Sequence, residues 1–227
     1  MEIDIKDKQL LRNIKLRMAI ENVTTLEEIK ELSLVNKNFL NQELKIDLAE
    51  IGKFKNLKKL SIKFFTINDE IIKALNKLEN LEILEIYMCK FETQEKLNGN
   101  IKNICFYNAE NLNLDILEID NLEVIRVENS GLIDLYKFAK FEAIKRLEIV
   151  KCPVISVPKI NLLKSLRELY LQEIDLKFDL EIGDLKELEV ISLNGSKVDN
   201  QKEYIEKIKI QNNNVTVEFK DNNRPIQ

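Results

Sequence analysis

The sequence predicts an α/β solenoid, in which each coil contributes one short strand to a parallel sheet and a cap closes each end. Three observations carry this. The stretches IKRLEIVKC, LRELYLQEI and LEVISLNGS place apolar residues at first, fourth and sixth position: Ile144/Leu147/Ile149, Leu166/Leu169/Leu171 and Leu188/Ile191/Leu193, with starts 22 residues apart. The same triplet recurs upstream, so eight units start at Ile29, Leu57, Leu81, Ile101, Leu122, Ile144, Leu166 and Leu188, in steps of 28, 24, 20, 21, 22, 22 and 22. The segments before Ile29 and after Gly195 depart from the pattern, as capping segments of a stacked array do.

Residues 1–28 form the expected N-terminal cap. Leu10, Leu11, Ile14 and Met18 share one face at helical spacing. Thr25 and Glu28 have the spacing of a capping box, with room for only a short turn. Residues 29–196 carry the repeats. The upstream triplets are Ile29/Leu32/Leu34, Leu57/Leu60/Ile62, Leu81/Leu84/Ile86, Ile101/Ile104/Phe106 and Leu122/Ile125/Val127. Each predicts a strand whose fourth and sixth residues enter the core.

Return segments must close that core from the other side. The candidates are Ile67/Ile71/Ile72/Leu75/Leu78, Leu132/Leu135/Phe138/Phe141, Val154/Val157/Leu162/Leu163 and Leu176/Phe178/Leu180/Leu185. Asp69–Leu78 predicts a helix with an acidic first turn. Later returns, one holding Pro153 and Pro158, predict irregular or 3₁₀ structure. Strands stack at ~4.8 Å while helical returns need up to ~8–10 Å, so the stack curves with its strands inside. In residues 197–227, Tyr204, Ile205 and Ile208 share a helical face, NNVTVEF alternates as an edge strand, and DNNRPIQ reads as a frayed tail. Few Gly and Pro residues and no linker indicate one array without an internal boundary.

The triplets and their period resemble the leucine-rich repeat family, over about residues 29–196, and the 22-residue spacing is similar to the internalin type of bacterial array. The resemblance implies a right-handed curved leucine-rich repeat solenoid, with a parallel sheet on its concave face and mostly irregular or short helical convex returns. It also implies Asn or Cys at the ninth position, where the side chain satisfies backbone groups. The ninth positions are Lys37, Phe65, Cys89, Ala109, Ser130, Cys152, Ile174 and Ser196, so only Cys89 and Cys152 conform.

Composition narrows the function. The 227-residue chain has 35 Lys and Arg against 39 Asp and Glu, a net charge of -4 that argues against a general nucleic-acid binder. Neither a membrane-spanning run nor a signal-like start is visible, and the chain as given reads as cytoplasmic. A secreted protein trimmed of its signal is the alternative. Without histidine, the commonest general base and metal ligand are lacking. Ser33, Ser61 and Cys105 therefore have no His to activate them. Glu128 and Glu148, flanked by arginines, read as part of an ion-pair lattice rather than as a hydrolase pair. The glycines Gly52, Gly99, Gly131, Gly183 and Gly195 are too scattered to cradle phosphate. Cys89 and Cys152 lie three repeats apart, roughly 14 Å, too far for a disulfide, and read as small buried residues. No cofactor, metal or catalytic residue is expected.

The expected function is non-catalytic protein binding through the concave face, with a monomeric chain and a partner of unknown identity. The alternatives are an intracellular inhibitor or immunity-type protein that blocks an enzyme or toxin, and a secreted host-interacting protein. Third, fifth, seventh and eighth positions should line that face. They bring Phe64, Ile83, Tyr87, Met88, Cys105 and Tyr107 onto three consecutive units, as a partner-binding patch or as a satellite core under a loop of the longer early units. Arg126, Glu148 and Tyr170 are the polar and aromatic periphery. Lys53, Lys55, Lys58, Lys59 and Lys63, beside Phe54 and Phe64, read as a solvated basic run.

Overall fold

The repeat spacing translates directly into strand register. The computed structural model describes residues 4–36, 48–155 and 160–220. They fall into two compact units, Met1–Ile119 and Asp120–Gln227. Lys37, Val157, Pro158 and the DNNRPIQ tail lie outside the described residues.

In the first unit, helix α1 (Lys8–Glu21) is capped by the Asp7 carboxylate, which accepts the Leu10 N–H at 2.7 Å. It buries Leu10, Ile14 and Met18, leaving Leu16 and Ile20 exposed. Thr25 and Glu28 form the expected capping box on a single 3₁₀ turn, Leu26–Glu28. Strands β1 (Glu31–Val35), β2 (Lys59–Lys63), β3 (Ile83–Tyr87) and β4 (Asn103–Tyr107) then pair in parallel. Their register sets Glu31, Lys59, Ile83 and Asn103 side by side, which is the sequence spacing of the triplets. Helix α2 (Asp69–Leu75) fills the long return, with Asn68 as its N-cap.

In the second unit, strands β5 (Val124–Glu128), β6 (Arg146–Val150), β7 (Glu168–Gln172), β8 (Val190–Ser192) and β9 (Thr216–Glu218) pair in parallel. Helix α3 (Gln201–Gln211) buries Tyr204 and Ile208 ahead of β9. The returns hold 3₁₀ turns at Leu135–Lys140 and Ile160–Leu162, as the sequence predicts, together with a two-residue parallel pair, Ile133–Asp134 with Val154–Ile155.

The fourth and sixth residues of every strand from Ile29 to Leu188 onward are buried, none above 3% exposure. Among the expected return residues, Val154 and Phe178 are only half-buried and two others are exposed. Leu132 is 60% exposed and Leu162 is 45% exposed. Leu132 follows Gly131, whose φ of 72° turns the chain and hands the inward place to Ile133. Leu162 sits on a 3₁₀ turn, where i and i+3 share a face. Ile160 and Leu163 take that face, and Leu162 points off it.

Candidate functional site

Leaving each strand from β2 to β8, the chain passes through the left-handed region at the eighth position of the repeat. Phe64, Met88, Asn108, Asn129, Lys151, Glu173 and Gly195 have φ between 49° and 72°. The eighth N–H continues the ladder to the next strand: Phe64 donates to the Tyr87 carbonyl at 3.1 Å, Met88 to Tyr107 at 2.7 Å, and Lys151 to Gln172 at 3.0 Å. Gly and Asn adopt this conformation most easily. Phe64, Met88, Lys151 and Glu173 therefore carry a backbone cost of about 1 kcal/mol each.

The first unit presents the aromatic part of the site. Lys63, Tyr87 and Tyr107 stand in register on β2, β3 and β4. The two tyrosine rings stack with centroids 4.5 Å apart and planes 5° off parallel. The Lys63 Nζ lies 4.5 Å from the Tyr87 ring centroid. Phe64, Tyr87 and Tyr107 are half-buried and Met88 is 48% exposed. Burial raises the Tyr87 phenol above its ordinary value, and the nearby Glu85 adds to this.

A polar row runs beside the tyrosines. Glu85 accepts from the Ser61 hydroxyl and pairs with Lys59 at 2.9 Å. Burial alone would raise its carboxyl; the Ser61 and Lys59 hydrogen bonds outweigh that and hold it below its ordinary 4.5. Cys105, half-buried, stands opposite Glu85. Ile83 belongs to the far end of β3, roughly 13 Å from Tyr87 along the strand. The structure thus gathers Phe64, Tyr87, Met88 and Tyr107 and separates Ile83 from them by the Glu85 row.

The basic run dissolves into separate places. Phe54 is buried, Lys53 pairs with Asp4 and Glu50, and Lys58 pairs with Glu82. Lys63 joins the aromatic row. Its role is invisible in a count of lysines, although its place seven residues into the repeat, like Tyr87 and Tyr107, is a signal that could have found it.

The second unit carries an ion-pair lattice. Glu148, only 6% exposed, receives Arg126 at 2.6 Å on one oxygen and the Arg146 Nε on the other. Arg126 also reaches Glu128 at 2.6 Å, and Arg146 reaches Glu168 at 3.2 Å. The Arg146 guanidinium lies 4.7 Å from the Tyr170 ring centroid, and the Tyr170 hydroxyl donates to Glu168 at 2.9 Å. Burial would lower the Arg146 pKa, but Glu148 and Glu168 outweigh it and raise it. Arg126, Glu148 and Tyr170 are thus tied to one another through arginine and carboxylate neighbours.

Beneath the face, ninth-position side chains bridge successive coils. The Cys152 Sγ accepts the Ser130 N–H at 3.4 Å and faces the Val127 and Val150 carbonyls at 3.7 and 3.3 Å. Cys89 accepts the Phe65 N–H at 3.4 Å in the same way. Ser196 repeats the bridge, accepting from Ile174 at 3.1 Å and donating to Leu171 at 2.8 Å. Serine therefore substitutes for the Asn or Cys that the family pattern expects. A separate asparagine ladder stands one residue before the first apolar place: Asn56, Asn80 and Asn100 donate to the Glu27, Lys55 and Glu79 carbonyls at 3.0, 2.7 and 2.9 Å.

No family model and no curated protein matches the chain. Solved structures do. A leucine-rich repeat protein of Leptospira interrogans matches with TM-score 0.58 and 19% identity, over 75% of this chain and 45% of that one. The chain thus spans less than half the length of the Leptospira protein. Internalin C2 of Listeria monocytogenes matches with TM-score 0.56 and 13% identity, over 94% of this chain and 93% of that one. The chain has the leucine-rich repeat fold seen in these bacterial proteins.

Proposed function

We propose that the chain is a non-catalytic protein-binding scaffold whose principal contact surface is the rim formed by Phe64, Tyr87, Met88 and Tyr107. The observation that carries this reading is the stacked, half-exposed Tyr87–Tyr107 pair. Aromatic side chains dominate the energetics of protein interfaces. A ring already held against its neighbour and under Lys63 loses little further freedom when a partner covers it, so more of the contact energy appears as affinity. Arg126, Glu148 and Tyr170 contribute on their own unit as a polar surface whose charge pattern selects among partners.

The test is affinity capture from source-cell lysate with the full chain and with a Tyr87→Ala/Tyr107→Ala double variant, after circular dichroism has shown both folded. A protein retained by the first and lost from the second supports the reading. Equal retention by both overturns it.

A further inference from the structure

We propose that the partner of the Tyr87–Tyr107 face is a protein segment that sets an acidic side chain beside a large apolar one. This rests on the protein-binding reading above and adds the partner's chemistry to it.

The first supporting observation is a charge left over at the rim. On the sheet face of β2, Lys59 is already neutralised by Glu85 at 2.9 Å. Lys63 makes no such pair: among the described residues no carboxylate lies within ion-pair distance of it, Glu85 acts on it only from farther away, and its ammonium faces the Tyr87 ring. A cation over an aromatic face keeps most of its charge available for a second partner on its open side. A carboxylate arriving there would meet it at the end of the aromatic row, where a covering partner excludes water and strengthens the pair.

The second observation concerns Phe64 and Met88. Both occupy the left-handed position that the same repeat elsewhere gives to Asn108, Asn129 and Gly195. Lys151 and Glu173, which also depart from Asn or Gly there, pair with each other at 3.3 Å. Met88 has a strained backbone and a side chain 48% exposed, so neither conformation nor burial favours an apolar residue at that place. Retained strain of this kind points to use of the side chain. Phe64 and Met88 border the tyrosine row through the hydrogen bonds of their own amides to Tyr87 and Tyr107. The surface is therefore an apolar rim around an aromatic shelf with the Lys63 cation at its end, and its complement is an apolar side chain next to a carboxylate. A nucleic acid would require several cations along a backbone track, and Lys59 on the same strand is already paired with Glu85.

The experiment is selection of a randomised twelve-residue peptide display library on the full chain, counter-selected on the Tyr87→Ala/Tyr107→Ala variant. Enriched peptides should carry Asp or Glu within two residues of Phe, Tyr, Trp, Leu or Met. For the best of them, Lys63→Glu should weaken binding roughly tenfold, as should exchange of the peptide's acid for its amide. Met88→Asn should weaken it several-fold without lowering the unfolding midpoint. Peptides that need Tyr87 and Tyr107 but show no acidic preference, or that ignore Lys63→Glu, would overturn the proposed chemistry and leave the protein-binding reading standing. Failure to obtain any peptide that depends on the tyrosines would count against both. Self-association in sedimentation that the double variant abolishes, or Lys63-dependent binding of a fluorescein-labelled oligouridine, would replace the proposed occupant with a second copy or with nucleic acid.

Discussion

Replacing Cys152 with alanine removes the side chain that ties two coils of the second unit together. Its sulfur accepts the Ser130 N–H at 3.4 Å and lies 3.3 Å from the Val150 carbonyl. Cys152 is 2% exposed and Ser130 4% exposed, so water does not replace the lost acceptor. Burial raises the Cys152 thiol above its ordinary 9.0, so at neutral pH the S–H remains to donate to a carbonyl. A buried donor left without an acceptor costs about 1–3 kcal/mol. Loss of one heavy atom from a packed site adds a smaller cavity contribution. Thiol hydrogen bonds are weak, which places the expected loss for Cys152→Ala near 2 kcal/mol. Cys152→Ser should lose clearly less, because Ser196 makes the same bridge with a hydroxyl two coils on. Native-state hydrogen exchange reads the effect where it arises. The Ser130 amide should exchange roughly 10- to 100-fold faster in the alanine variant, from about 1.4 kcal/mol per factor of ten. An unchanged Ser130 rate, or a serine variant as impaired as the alanine one, would refute the bridging role.

Three further outcomes follow from the same structure. Met88→Asn should leave urea-unfolding stability within about 1 kcal/mol, since relief of the left-handed backbone offsets the loss of a half-exposed side chain; a larger loss would mean that Met88 is a core residue. Glu148→Ala should cost about 2–3 kcal/mol in the same assay, below the range for a fully buried pair because Arg126 and Arg146 are 32% and 40% exposed; a loss under about 0.5 kcal/mol would make the lattice ornamental. Glu85 has a folded pKa below 4.5, so its contribution is fully present above the unfolded value and disappears as pH falls through the folded one; Glu85→Gln should flatten that acid limb, and an unaltered pH profile would contradict the Lys59–Ser61 assignment.

The strand register was legible because burial enforces it. A position that must enter the core tolerates only apolar residues, so the first, fourth and sixth places survive even where the step between units stretches to 28 residues. Leu132 and Leu162 show where this reasoning stops. Their segments have neither helical nor strand periodicity, and a glycine turn or a 3₁₀ phase decides which neighbour points inward. The ninth-position bridge was only half visible, because a hydroxyl such as that of Ser196 can do what the pattern assigns to Asn or Cys. Asn56, Asn80 and Asn100 recur in step with the triplets and mark a ladder that attention to apolar residues passes over. At the candidate site, the sequence brings Phe64, Tyr87, Met88 and Tyr107 to one rim, since the eighth place follows the seventh in every coil. That Lys63 caps the ring row and that Ile83 stands apart are also encoded, in the seventh place of the one and the third place of the other, but a list of apolar and aromatic residues passes over both.

Site-specific photo-crosslinking tests the binding surface most directly. A benzophenone side chain is placed at Met88 on the rim, and in a second sample at the exposed return-segment position Lys186. Irradiation in source-cell lysate should yield a discrete protein adduct from position 88 that disappears in the Tyr87→Ala/Tyr107→Ala background, with none from position 186. Adducts from position 186 alone, or an adduct at 88 indifferent to the tyrosines, would contradict the account.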